Sequence, residues 1–249
     1  MPLLGLQRTG SGPVIVWLHG FTQTKDSALE FRTILAGTRE VLTIDLPGHG
    51  ENAAAHCTLD DTADLLAAAL PREPFLLGGY SMGGRVALHV ALRHPERLAG
   101  LVLLSTTLGI RDPTLRRARR TRDEALAQRI EGMDIDAFLS EWLSLPLFAS
   151  LPADPAERAS RSRDRAGLAE SLRRSGTGRQ SWLGDRVASL DLPTLVIVGE
   201  HDVKFRDEGA DIRDRVAGAR LETVAHAGHA THLERPGDVA TLVAAAYPQ

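Results

Sequence analysis

The amino-acid sequence predicts an α/β protein whose mostly parallel sheet is covered by helices on both faces. Short apolar runs alternate with helix-spaced patterns through the first half of the chain, and the same rhythm returns near its end. Between them, from about residue 106 to residue 190, no run has the character of a strand. The elements follow in order. Residues 14–18, Val-Ile-Val-Trp-Leu, read as a strand bounded by Gly12-Pro13 and His19-Gly20. Residues 28–36 read as a helix and 40–45 as the next strand. Helical spacing recurs over 59–70, a strand over 75–78, and a helix over 82–94 that Pro95 ends. A strand at 98–104 closes the first half. After the polar and amphipathic helical stretches, strands at 193–198 and 220–224 alternate with helices at 207–216 and 236–246. Helices inserted between two strands of a parallel sheet form a cap over the carboxyl ends of the strands, where such sheets bind ligands. The expected division is a core of residues 1–105 and 191–249 with a helical cap at 106–190.

Composition narrows the function classes. A chain of 249 residues can bury a large core, and 43% hydrophobic with 24% charged residues is ordinary for a soluble globular protein. A net charge of −3 gives no general reason to expect nucleic acid or a membrane surface as partner. No apolar run approaches membrane-spanning length. The N-terminus lacks a basic stretch followed by an apolar core, so the expected location is the cytoplasm. The single cysteine, Cys57, excludes an internal disulfide, and its polar surroundings mark it as incidental rather than nucleophilic.

Gly79-Tyr80-Ser81-Met82-Gly83 matches G-x-S-x-G with a strand before it and a helix after it. The sharp turn strains the serine and exposes its hydroxyl at the sheet edge, and the flanking glycines permit close backbone approach. These features predict an α/β-hydrolase fold. A serine needs a base, and the base an orienting acid, in the chain order Ser, Asp or Glu, His. Asp202 follows the 193–198 strand and is the expected acid, with Glu200 as fallback. Of His226, His229 and His232, the Gly228-His229 step suits a loop tip returning over the elbow, so His229 is the expected base. The H-x2-H-x2-H spacing is a weak metal signal on a loop, and no metal is expected. The oxyanion donors are expected to be the amides of Met82 and of Phe21, in the loop after the first strand. Asp45-Leu-Pro-Gly-His-Gly50 reads as a pocket wall, with His49 structural.

The cap carries the substrate information. Only Lys25 and Lys204 are lysines among 29 basic residues, and arginines crowd 111–129 and 158–165. Most of them read as a solvated helix face. Those facing a pocket would grip a substrate with several carboxylates. Arg85, one turn beyond Ser81, is placed to reach a ligand there.

Four segments together carry a resemblance over essentially the whole chain: Gly79 to Val86 around the elbow, Trp142 with Pro146-Leu-Phe-Ala-Ser-Leu151, Gly199 to Phe205, and Ala227 to His232. In these the sequence resembles the 2-succinyl-6-hydroxy-2,4-cyclohexadiene-1-carboxylate synthases of menaquinone biosynthesis. The resemblance implies elimination of pyruvate, without cofactor, from a small tricarboxylate substrate. It also implies Arg85, Arg119 and Arg163 as carboxylate-binding arginines, with Tyr80 and Trp142 lining the pocket. Two other readings stand beside it. One is a carboxylesterase or C–C bond hydrolase with Ser81 as nucleophile; the other is a non-catalytic binding module, disfavoured by the intact Ser-Asp-His set.

Overall fold

The computed structural model describes residues 5–248. Its seven strands are β1 (Gln7–Thr9), β2 (Val14–Leu18), β3 (Glu40–Thr43), β4 (Phe75–Tyr80), β5 (Leu98–Leu104), β6 (Thr194–Gly199) and β7 (Arg220–Val224). They form one sheet in the order β1-β3-β2-β4-β5-β6-β7, in which β1 alone runs antiparallel to its neighbour. The helices are α1 (Leu29–Ala36), α2 (Leu59–Ala69), α3 (Met82–Arg93), α4 (Pro113–Gly132), α5 (Ile135–Leu143), α6 (Pro155–Ala159), α7 (Arg165–Ser175), α8 (Val203–Arg215), α9 (Thr231–Glu234) and α10 (Pro236–Ala246).

Strand side chains alternate between two buried faces. Val16 and Leu18 join one core with Leu66 of α2, Val86 and Val90 of α3 and Ile212 of α8. Ile15 and Trp17 join the opposite core with Phe31 and Leu35 of α1 and Val239 and Val243 of α10. Burial on both faces is why the strands read as continuous apolar runs. Helices α4 to α7 lie between β5 and β6, and they own a third core of Ala127, Ile130, Phe138, Leu139, Leu168 and Leu172. Helix α4 begins sharply because the Asp112 carboxylate accepts hydrogen bonds from the amides of Thr114 and Leu115, with Pro113 at the first helical position.

Two features depart from the expected pattern. Strand β1, Gln-Arg-Thr, has no apolar alternation and exists only through its pairing with β3. Helix α8 starts at Val203, four residues before the expected 207, because Asp202 itself occupies the turn into the helix and the charged Lys204-Phe-Arg-Asp-Glu208 run hides the apolar face. The strand order reverses at β2, whose neighbours are β3 and β4, so the loop after β2 and the elbow after β4 lie side by side at a switch point of the sheet.

Candidate active site

Ser81 sits between β4 and α3 with φ 51° and ψ −104°, a backbone conformation that L-residues rarely adopt. Its amide donates to Leu104 O at 2.9 Å, and its carbonyl accepts from Thr106 Oγ1 at 2.8 Å and from the Arg85 amide at 3.2 Å. The flanking glycines make room for this. A Cβ at Gly83 would lie 2.1 Å from Leu18 O, and one at Gly79 would lie 2.4 Å from the Gly83 carbonyl. Gly83→Ala is therefore expected to cost about 3 kcal/mol, at the upper end for overpacking. A urea midpoint unchanged in that variant would contradict the packing.

Three residues expected to cooperate do meet. His229 Nε2 lies 3.1 Å from Ser81 Oγ, and His229 Nδ1 lies 2.7 Å from Asp202 Oδ2. Asp202 and His229 are buried, so the hydrogen bond between them is shielded from water, while Ser81 stays partly exposed. With Nδ1–H donating to the carboxylate, Nε2 is left to accept the serine proton. The fallback acid Glu200 is elsewhere engaged, accepting the His226 amide at 2.8 Å. The three histidines separate: His226 is exposed, His229 faces Ser81, and His232 is buried among Trp17, Phe31 and Tyr80. Burial holds His232 near pKa 3, a neutral ring with no hydrogen-bond partner for either nitrogen among the described residues.

The loop after β2 carries Phe21. His19 fixes its start, donating from Nδ1 to Gly20 O at 2.8 Å and accepting the Leu46 amide on Nε2 at 2.9 Å. Among the described residues no hydrogen bond engages the amide of Phe21 or of Met82, which leaves both free for an oxyanion. His49 is fully buried, edge-on to His19 and Phe21, and burial lowers it to about 3.

Aromatic rings close over this constellation. Trp142 of α5 packs edge-on against Phe21 with ring centres 5.3 Å apart, and its buried Nε1 has no partner among the described residues. Phe148 and Phe205 lie 6.1 and 4.4 Å from the His229 ring, and Tyr80 lies 5.2 Å from it. Burial raises the Tyr80 hydroxyl well above the usual phenol value. A separate cavity of about 1070 Å³ is lined by α1, α6 and the 151–154 loop, with Arg161 and His232 reaching it; Ser81 is not in its lining.

The arginines divide. Arg85 is buried, and its guanidinium donates to Ser175 O at 2.7 Å, spanning from α3 to the end of α7. Burial, and then the nearby Arg119, lower its pKa to about 10. Arg119 pairs with the buried Asp123 at 2.7 Å. Arg163, expected among the carboxylate-binding arginines, has a half-exposed side chain ion-paired with Asp136 at 2.5 Å. Arg161, two residues earlier, is the buried one, donating to Thr22 Oγ1 at 2.6 Å with Nε unpartnered among the described residues. Three arginines within 161–165 share one polar stretch, and only long-range contacts decide which faces inward.

A strained serine at a strand-to-helix turn, with an acid-oriented histidine and two free amides, is the site type of α/β-hydrolases. The profile of the alpha/beta hydrolase family matches residues 15–242, and the chain belongs to that family. Within it the chain is 38% identical over 235 residues to the putative 2-succinyl-6-hydroxy-2,4-cyclohexadiene-1-carboxylate synthase of Bacillus subtilis (strain 168), covering 89% of this chain and 85% of that protein. It is 34% identical to the 2-succinyl-6-hydroxy-2,4-cyclohexadiene-1-carboxylate synthase of Serratia proteamaculans (strain 568), covering 90% of this chain and 89% of that one. The solved structure of MenH from S. aureus superposes with a TM-score of 0.91 at 29% identity, over 97% of each chain.

Proposed function

We propose that this protein eliminates pyruvate from 2-succinyl-5-enolpyruvyl-6-hydroxy-3-cyclohexene-1-carboxylate, giving 2-succinyl-6-hydroxy-2,4-cyclohexadiene-1-carboxylate in menaquinone biosynthesis. The observation that carries this reading is similarity over nearly the whole chain to synthases of that name, at up to 38% identity, with the serine, histidine and aspartate assembled. Residues 106–190 serve as the cap and the remainder as the core. The enzyme works in the cytoplasm, in keeping with the absence, among the described residues, of any helix long and apolar enough to cross a membrane.

In the reaction, His229 Nε2 takes the Ser81 hydroxyl proton as Ser81 Oγ removes the C–H proton beside the succinyl ketone. Asp202 stabilises the imidazolium that forms. The ketone oxygen gains negative charge and is held by the amides of Phe21 and Met82. The electron pair released from the C–H bond forms a new ring double bond, the existing one shifts by one position, and the allylic C–O bond breaks. The departing enolpyruvate takes up a proton on carbon to become pyruvate. No bond to Ser81 forms.

Arg85 and Arg119 supply the carboxylate grip. Two neighbouring cations, offset by Asp123, favour a further anion between insertion and core. Tyr80 and Trp142 wall the pocket, and Arg161 replaces Arg163 as the inward-facing arginine of its stretch. Arg119→Lys keeps the charge beside Asp123 but loses the fork, and should raise KM about tenfold while kcat changes less. Purified protein mixed with the enolpyruvyl substrate should release pyruvate together with the rise in diene absorbance. Hydrolysis of p-nitrophenyl esters at a comparable rate, without pyruvate release, would instead support the hydrolase reading.

A further inference from the structure

The loop carrying Phe21, residues 19–28, holds two non-glycine residues in the left-handed region: Thr22 at φ 69° and Ala28 at φ 57°. For a β-branched residue such as Thr22 this is a genuine outlier, and such conformations persist only when their surroundings impose them. Both residues are gripped by one short stretch of the insertion, residues 157–162. The Thr22 carbonyl accepts the Ser162 amide at 2.8 Å, and its Oγ1 accepts from Arg161 at 2.6 Å. The Ala28 amide donates to Glu157 Oε2 at 2.7 Å.

Further bonds knit the same two segments. Glu157 Oε1 accepts from Gln23 Nε2 at 3.2 Å, and Gln23 Oε1 accepts the Gly20 amide at 2.9 Å, one residue from Phe21. Thr24 Oγ1 donates to Ser160 O at 2.6 Å, and the hydroxyls of Ser27 and Ser160 are 2.9 Å apart. Thr22 is fully buried and Gln23 nearly so, and water does not compete for these bonds. At Thr22 the hydrogen bonds come from the insertion, whereas Ala28 also caps α1, its carbonyl accepting the Arg32 amide at 3.0 Å, and Asp45 holds the loop through the Lys25 amide.

We propose that residues 157–162 are a clamp that imposes the working shape of the oxyanion loop, with Glu157 and Thr22 as positioning residues. The Phe21 amide is aimed at the site when the insertion is docked, and the loop relaxes when it is not. Substrate binding under the insertion is thereby coupled to completion of the oxyanion hole. This rests on the reading that Phe21 supplies an oxyanion donor.

Two measurements test it. Glu157→Ala should lower kcat by about 10- to 100-fold, as for a misplaced catalytic group, with KM changed far less. In the same variant, amides in 20–28 should exchange with solvent faster while those of β4 and α3 keep wild-type protection. Glycine accepts positive φ without strain, so adding Thr22→Gly and Ala28→Gly should remove most of the kcat cost of Glu157→Ala. Equal cost in both backgrounds, or unchanged exchange at 20–28, would overturn the clamp. If Glu157→Ala does not fold, Thr22→Val and Thr22→Ser replace it, and serine should retain activity and protection where valine loses both. Equal behaviour of the two would overturn the proposal. Exchange is read without substrate, so a failure of the elimination reading leaves this arm intact.

Discussion

Ser81→Ala lowers the rate of pyruvate elimination by about 10²- to 10⁴-fold, the range supplied by a positioned general base. The protein stays folded, because alanine carries the same positive-φ strain as serine and its methyl replaces the Cβ already present. The loss comes from removing Oγ, the atom 3.1 Å from His229 Nε2. Asp202→Asn should be comparably severe, about 10⁴-fold, because an asparagine amide can donate to Nδ1 and so favours the wrong imidazole tautomer. The two effects should not add, since a serine base without an oriented histidine is no base. Initial rates of diene formation for the two single variants and the double variant check this. Additive losses would show that Ser81 and Asp202 act in separate steps.

Stability should fall steeply as the pH drops below about 6.5. His19, His49 and His232 are buried neutral rings whose pKa values burial lowers from 6.5 to about 4, 3 and 3. The sign follows from proton counts. Between the folded and unfolded values the unfolded chain binds more protons, so stability rises with pH across that window and is lost as pH falls through it. Each histidine contributes up to about 1.4 kcal/mol per pH unit, and three acting together up to about 4 kcal/mol per pH unit. Urea midpoints from neutral pH down to about 5 should record the fall. His232→Leu keeps the ring cluster of Trp17, Phe31 and Tyr80 packed while removing one of these titrations, so its slope should be shallower by up to about a third. A midpoint that stays flat would mean that these rings reach water in the native state.

The site was legible where its physics is local. A glycine on each side of Ser81 is required because the backbones of residues 79, 83 and 18 nearly touch, and that requirement writes G-x-S-x-G into the chain. Asp202 and His229 were legible because each follows a strand of the sheet and must reach the same edge. The strands buried on both faces announced themselves as apolar runs, whereas β1 has only a pairing partner and no pattern. The inward arginine was not legible. Arg161 and Arg163 have the same chemistry and nearly the same neighbours, and the choice is made by Thr22, 139 positions away. Glu157 was invisible for the same reason, since its partner Ala28 lies 129 positions distant and exposes only a backbone amide.

The proposed reaction makes an elbow serine, usually a nucleophile, act as a base. Rapid quenching during turnover of the enolpyruvyl substrate, followed by intact-mass measurement of the protein, tests this most directly. A general base leaves one pyruvate per diene formed and a protein mass unchanged at every time point. An obligatory covalent adduct on Ser81, formed and lost at the rate of product release, would contradict it.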